Sequence, residues 1–160
     1  MKTLVVYESF FHNTEFIAKE IGKGLAKTTD ANVLQFEDVK PEHLANLSLL
    51  VIGSPTQRFG PTEEITKFIH ALPAGTLKGI PVAVFDTRMD KKALKNWLFR
   101  VIVEKGGYAG KKLMAMLVKA GAKPLCEPEG FAVLGQEGPL KPGELERAAK
   151  WGESLAKQAA

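Results

Sequence analysis

Short apolar runs alternate with segments of helical period along the whole chain, and this alternation restricts the fold more than any other feature of the sequence. Lys2 to Tyr7, Leu47 to Gly53 and Ile80 to Phe85 are nearly continuous apolar stretches of strand length. Such runs suit strands covered on both faces, as in a parallel sheet. Asn32 to Glu37, carrying Val33, Leu34 and Phe36, is a further strand, and Pro124 to Leu134 holds the last strand material. Between them, Ile17, Ile21 and Leu25 with Ala18, then Ile65, Phe68, Ile69 and Leu72, then Leu113, Met116, Leu117 and Ala120, and finally Leu145, Ala148, Trp151 and Leu155 recur at helical spacing. Strand followed by helix five times over predicts an α/β fold, a doubly wound five-stranded parallel sheet with right-handed crossovers. Ligands of such sheets sit beyond the carboxyl ends of the strands.

Local signals set the expected boundaries. Asn13 or Thr14 is a suitable N-cap for the first helix, with Glu15 favouring its first turn. Ser54-Pro55 is expected to stop the third strand, because proline cannot donate to a ladder and restrains the residue before it. Thr62 caps the next helix and Pro73 closes it. The fourth strand is expected to give way at once to a polar loop, Asp86-Thr87-Arg88-Met89-Asp90. Ala93 to Val103 is read as a helix ended by Gly106-Gly107, and Gly121 as the residue just past the helix before the last strand. Glu127-Pro128-Glu129-Gly130 should bend or split that strand, and Glu144 to Lys157 forms the closing helix.

With 160 residues, 45% of them hydrophobic, residues 1–160 are expected to form one domain. Cys126 is the lone cysteine, which excludes an internal disulfide, and spacing for a structural zinc site is absent. It reads as a small hydrophobe in a reducing compartment. No stretch approaches the ~20 apolar residues of a membrane span, and the first residues lack the pattern of a signal peptide. A cytoplasmic location is expected. The formal net charge of +4 is carried by lysines spread along the chain in short pairs. Aromatic residues do not interleave with them, so no nucleic-acid partner is expected.

The stretch Ser9-Phe10-Phe11-His12-Asn13-Thr14 joins the first strand to the first helix. A turn of this kind points free backbone N–H groups and the positive end of the helix dipole at one spot, and an anion is its natural occupant. Two other loops fall on the same sheet edge, Ser54 to Pro61 and the segment from Asp86. A P-loop would need glycines and a lysine here, and a dinucleotide fingerprint would need Gly-x-Gly-x-x-Gly. Neither is present, nor are the clustered acids of a receiver domain or a Gly-x-Ser-x-Gly elbow. Ser54 is therefore a turn residue rather than a nucleophile, and the sequence offers no catalytic or metal-ligating set.

Tyr7-Glu8-Ser9-Phe10-Phe11-His12-Asn13-Thr14, Gly53-Ser54-Pro55-Thr56 and Phe85-Asp86-Thr87-Arg88 together resemble the flavodoxin family. The likeness is narrower to small bacterial flavodoxin-like proteins with a Tyr-Glu-Ser-x-x-Gly-Asn-Thr opening and a Phe-Asp-Thr-Arg strand end. Glu137-Gly138-Pro139-Leu140, Gly143 to Arg147 and Trp151-Gly152 resemble the same group's C-terminal segment. The resemblance implies strand order 2-1-3-4-5 and a site for FMN. Ser9, Phe11, His12, Asn13 and Thr14 would belong to its phosphate loop. Ser54, Pro55, Thr56, Phe59 and Gly60 would lie along the flavin ring, and Asp86, Thr87 and Arg88 along its pyrimidine edge. Arg88 either faces that edge or pairs with Asp86 or Asp90, and Trp97 or Tyr108 stands in for a stacking aromatic or packs elsewhere.

His12 replaces the family's glycine. It either accepts a positive φ and leaves room for a phosphate, or fills that room. Two functions follow from the resemblance: an FMN protein in electron transfer or reduction of a small acceptor, or a flavodoxin-fold binding or regulatory module that has lost FMN. The implied partners are a redox protein or a small-molecule acceptor, with Ala93 to Val103 a candidate docking segment that includes a homodimer contact.

Overall fold

In the computed structural model, which describes residues 1–90, 92, 96–98, 100, 101 and 107–160, the first strand is the hub of the sheet. Strand β1 (Lys2–Tyr7) pairs in parallel with β2 (Asp30–Gln35) on one side and β3 (Leu49–Pro55) on the other, and β3 pairs with β4 (Pro81–Met89). The last strand comes in two pieces, β5 (Lys123–Pro124) against the start of β4 and β6 (Glu129–Val133) against its end. The order is therefore the expected 2-1-3-4-5, with the fifth position split across residues 125–128.

Continuous apolar strands follow from burial on two faces. Leu4, Val6, Leu50, Ile52, Val82 and Val84 form a core on one side with Ile65, Ile69, Leu113 and Leu117, from helices α3 (Glu63–Ala71) and α4 (Ala109–Lys119). Val5, Tyr7, Leu49, Val51, Ala83 and Phe85 form the other core with Ile17, Ile21 and Leu25 of α1 (Asn13–Leu25) and Ala148 and Leu155 of α5 (Glu144–Ala159). Alternate strand residues thus point to opposite layers. Helices α1 and α5 touch backbone to backbone. A Cβ on Gly24 would lie 2.1 Å from the Ala149 carbonyl oxygen, and one on Gly152 would lie 2.3 Å from that of Ile21. Glycine is required there by proximity.

Several boundaries differ from the sequence reading. The second strand starts earlier, at Asp30, and stops at Gln35, where Phe36–Asp38 turn as a short 3-10 helix, and Pro41–Leu44 form a brief helix α2. Ser54-Pro55 does not stop β3, since Ser54 pairs with Asp86 and Pro55 with Thr87. The proline is tolerated because Thr56 N donates toward β4, to the Thr87 carbonyl, so the neighbouring position faces β1, whose pairing has ended at Tyr7. Asp86, Thr87 and Arg88 are likewise strand residues of β4, not a loop, because β6 gives them a partner on the far side.

Leu145 is 43% exposed rather than part of the α5 stripe. Glu144 takes the inward position, where it accepts from the Ala132 N–H and from Arg147. Other signals held. Thr62 Oγ1 accepts from the Ile65 N–H, and Gly121, at φ 95°, ends α4 with Ala122 N bonded to the Leu117 carbonyl and Gly121 N to that of Val118. The helix expected at Ala93 to Val103 falls largely outside the described residues.

Candidate functional site

Beyond the carboxyl ends of β1, β3 and β4 lies a cleft of about 410 Å³. Ser9, Phe10, Phe11, Asn13 and Thr14 form one wall, Pro55, Thr56, Gln57 and Arg58 another, and Thr87, Arg88, Met89, Val133 and Gln136 the rest. The β1–α1, β3–α3 and β4 segments singled out from sequence are therefore brought together. Among the expected residues, His12, Ser54, Phe59, Gly60 and Asp86 are not on the wall, and each has an identifiable role beside it.

The sequence offers Asn13 or Thr14 as the N-cap of α1, and neither is. His12 holds that position at φ 63°, and no side chain caps the helix. The first intrahelical bond is from Phe16 N to His12 O, which leaves the N–H groups of Asn13, Thr14 and Glu15 ahead of the ladder, at the positive end of the dipole. The imidazole has swung outward. Its side chain is 73% exposed and Nδ1 lies 2.7 Å from Glu15 Oε2. His12 and then Lys19 hold the Glu15 carboxyl below the ordinary range by hydrogen bonding. The positive φ is thus accepted, and the ring does not occupy the cleft.

The hydroxyls on this wall are unevenly committed. Ser9 Oγ is buried and has no hydrogen-bond partner. Thr14 Oγ1 and Thr87 Oγ1 are 2.8 Å apart and buried, one donating to the other, so the pair keeps one O–H proton in reserve. Asn13 Nδ2 donates to the Glu137 carbonyl at 3.0 Å, tying α1 to the segment after β6. An orphan hydroxyl, a spare O–H and three leading N–H groups converge in one region with no carboxylate on the lining. The arrangement is that of an anion site.

The second wall is a tight turn. Gln57 N donates to Gly60 O and Gly60 N to Gln57 O, both at 2.8 Å, around Arg58 and Phe59 at φ 44° and 66°. Two positive φ values inside reciprocal bonds give type I′ geometry, which Asn-Gly adopts without strain and Arg-Phe does not. Arg58 is exposed. Arg58→Asn is accordingly expected to raise stability by about 1 kcal/mol, seen as a higher denaturation midpoint.

Ser54 is fully buried behind this turn, donating to the Pro55 carbonyl and accepting from Thr62 N. Thr62 in turn donates its hydroxyl to the buried Glu8 carboxyl, joining the first wall to the second. Burial, reinforced by the charges of Glu64 and Glu37, pushes the Glu8 carboxyl up to about 7.

The third wall is braced from beneath. Asp86 is fully buried, accepts Nε and Nη2 of Arg88 at 2.5 and 2.6 Å, and accepts the Gly110 N–H at 2.8 Å. Burial raises its carboxyl and the Arg88 hydrogen bond draws it back. The Arg88 guanidinium carbon sits 3.8 Å from the centre of the Tyr108 ring, and Gly130 leaves room for it on the other side, where a Cβ would come within 2.3 Å. Arg88 thus reaches the cleft wall already paired with Asp86. Tyr108 packs on Arg88, and Trp97 is 68% exposed.

Sequence reasoning missed Phe10, Gln57, Arg58, Met89, Val133 and Gln136. Phe10, Gln57, Arg58 and Met89 lie inside segments already singled out. Val133 and Gln136 reach the cleft only because β6 pairs with the carboxyl end of β4.

A profile of the flavodoxin family matches residues 5–151, and the chain belongs to that family. Among solved structures, a flavodoxin from the domain Archaea is 21% identical with a TM-score of 0.77, covering 99% of each chain. Flavodoxin 2 from Bacillus cereus is 23% identical with a TM-score of 0.71, over 98% of this chain and 99% of that one. Two-electron reduced Megasphaera elsdenii flavodoxin is 22% identical with a TM-score of 0.70, over 97% and 98%. No curated protein sequence matches the chain. Among the described residues no helix is long and apolar enough to cross a membrane.

Proposed function

We propose that the chain binds FMN in this cleft and works in electron transfer, to a redox protein or to a small-molecule acceptor. The observation that carries this reading is the buried, unpartnered Ser9 hydroxyl beside the uncapped start of α1. A buried hydroxyl without a partner costs about 1–3 kcal/mol, and an anionic oxygen would relieve it. The residues present fit the group. Ser9, the N–H groups of Asn13 to Glu15 and the spare proton of Thr14 or Thr87 would hold the phosphate. Pro55, Thr56 and Gln57 would flank the ring from one wall, and Thr87, Arg88 and Met89 from the other.

FMN, when bound, supplies the one- and two-electron chemistry. The chain's own part is to orient and to set the local charge. Arg88 brings a cation to the wall, and Asp86 offsets most of it at 2.5 Å, so the pair favours negative charge on a ligand only weakly. The alternative of a module without FMN has His12 as its marker, and the outward ring supports the FMN reading over it.

Titrating the purified chain, stripped of any flavin, with FMN tests the reading. One FMN per chain is expected, and no uptake at high FMN concentration defeats it. Ser9→Ala gives a sharper check because its two effects have opposite signs. The flavin-free protein should gain about 1 kcal/mol as an unsatisfied hydroxyl is removed, while FMN affinity should fall about tenfold with the loss of one charge-assisted hydrogen bond. A loss of stability without loss of affinity would place the hydroxyl in the fold rather than the site.

A further inference from the structure

We infer that the α4 side of the cleft mouth is a docking surface for an acidic protein that presents carboxylates around an apolar contact. The identity of that protein as the redox partner rests on the FMN reading; the docking chemistry does not. The first turn of α4 contains no acid and carries Lys111 and Lys112, both exposed, at the end of a helix where cations are disfavoured by the dipole. Lys112 is folded over the strained turn, its Cδ and Nζ standing 3.5 and 3.6 Å from where a Cβ on Gly60 would be. Arg58 sits at the tip of that same turn in a backbone conformation that disfavours it. Two local rules are thus broken next to each other, and both place positive charge at one rim. Violations of this kind concentrate where function requires them.

The cations gather on the α4 side, while most acids of the rim are paired or lie elsewhere. Among the described residues, Glu15 is paired with Lys19 and His12, Asp90 with Lys141, and Glu63 with Lys67; Glu37 and Glu64 act on Glu8, Glu137 lies against Asn13, and Glu127, next to the Pro128 that packs on Gly110, is the acid that stands beside Lys111 and Lys112. The other wall offers Phe10 and Phe11, 47% and 43% exposed. An apolar patch with a charged rim is the pattern of a protein contact, and a cationic rim selects an acidic partner and speeds its approach. A second copy of this chain, at +4, is repelled by the same surface.

The test is an amide chemical-shift titration with an acidic plant-type [2Fe–2S] ferredoxin as probe and a basic cytochrome c as comparator, at about 20 mM and 200 mM salt. It is run on both the flavin-free and the FMN-supplemented chain. Ferredoxin should shift residues 10–11, 57–60 and 110–112 and bind about tenfold more weakly at the higher salt. The Lys111→Glu/Lys112→Glu protein should lose about tenfold in affinity, and Lys78→Glu/Lys119→Glu, which makes the same charge change at the opposite pole, should lose little. No ferredoxin binding at low salt, tighter binding of the cytochrome, equal losses in the two double variants, or shifts dominated by self-association would each overturn the proposal. Failure of FMN uptake is read separately in the flavin titration and leaves the flavin-free arm intact.

Discussion

Replacing Asp86 with alanine should cost about 3–5 kcal/mol, the largest effect expected of any single side chain at the site. Three donors lose their acceptor at once, two on Arg88 and one on Gly110. Arg88 surrenders a bidentate carboxylate and the Gly110 N–H its acceptor, while the side chain removed is fully buried and leaves a void. Arg88 cannot simply turn to solvent, because its guanidinium is stacked on Tyr108 and hemmed in at Gly130. Asp86→Asn should be milder, since an amide oxygen still accepts from Gly110 and Arg88 Nη2, while the charge and the hydrogen bond from Arg88 Nε are lost. Chemical denaturation of the two variants beside the parent checks this order. A loss under about 1 kcal/mol for Asp86→Ala would mean that water reaches the pair, and that the third wall is braced by β6 alone.

That brace also shows what could and could not be read from the residues. The strands and most helices were plain, because hydrophobic runs and periods are local and each signal is confined to a short window. The order 2-1-3-4-5 came from resemblance rather than from any window, since pairing is non-local. The carboxyl ends of β3 and β4 read as loops in sequence because Pro55 cannot donate to a ladder and Asp86-Thr87-Arg88 are polar. Only the pairing of Ser54 with Asp86, and of Thr87 with Phe131, makes them strands. The Arg58-Phe59 turn carried no Asn-Gly signal, so its type I′ geometry was invisible. His12 was the reverse case. The glycine it replaces pointed to a positive φ as one of two outcomes, and the choice between them, like the direction of the ring, depends on Glu15 and needed coordinates.

Glu8 should make the protein lose stability as the pH rises from about 4.5 to about 7, contrary to the usual behaviour of a folded-state carboxylate. Its carboxyl is raised from 4.5 to about 7 in the fold, chiefly by burial and then by Glu64 and Glu37. Below about pH 4.5 the group is protonated in both states and favours neither. Between the two values the unfolded chain releases the proton while the folded chain keeps it, so stability falls with pH, and the loss is complete above about 7. At about 1.4 kcal/mol per unit the full span is up to about 3 kcal/mol, trimmed by the Thr62 hydroxyl, which donates to the ionised form. Glu15, Asp90, Glu144 and Glu153, whose carboxyls are lowered, act in the opposite sense at more acid pH. The effect is therefore read as the difference between the parent and Glu8→Gln. The variant's relative stability should climb through this window and level off above it, and a flat difference would show that Glu8 ionises as freely in the fold as in the unfolded chain. Because Glu8 and Thr62 join the Ser9 loop to the Ser54–Pro61 loop, FMN affinity should fall as the pH rises through about 7, where Glu8 ionises in the folded protein and adds a negative charge next to Ser9.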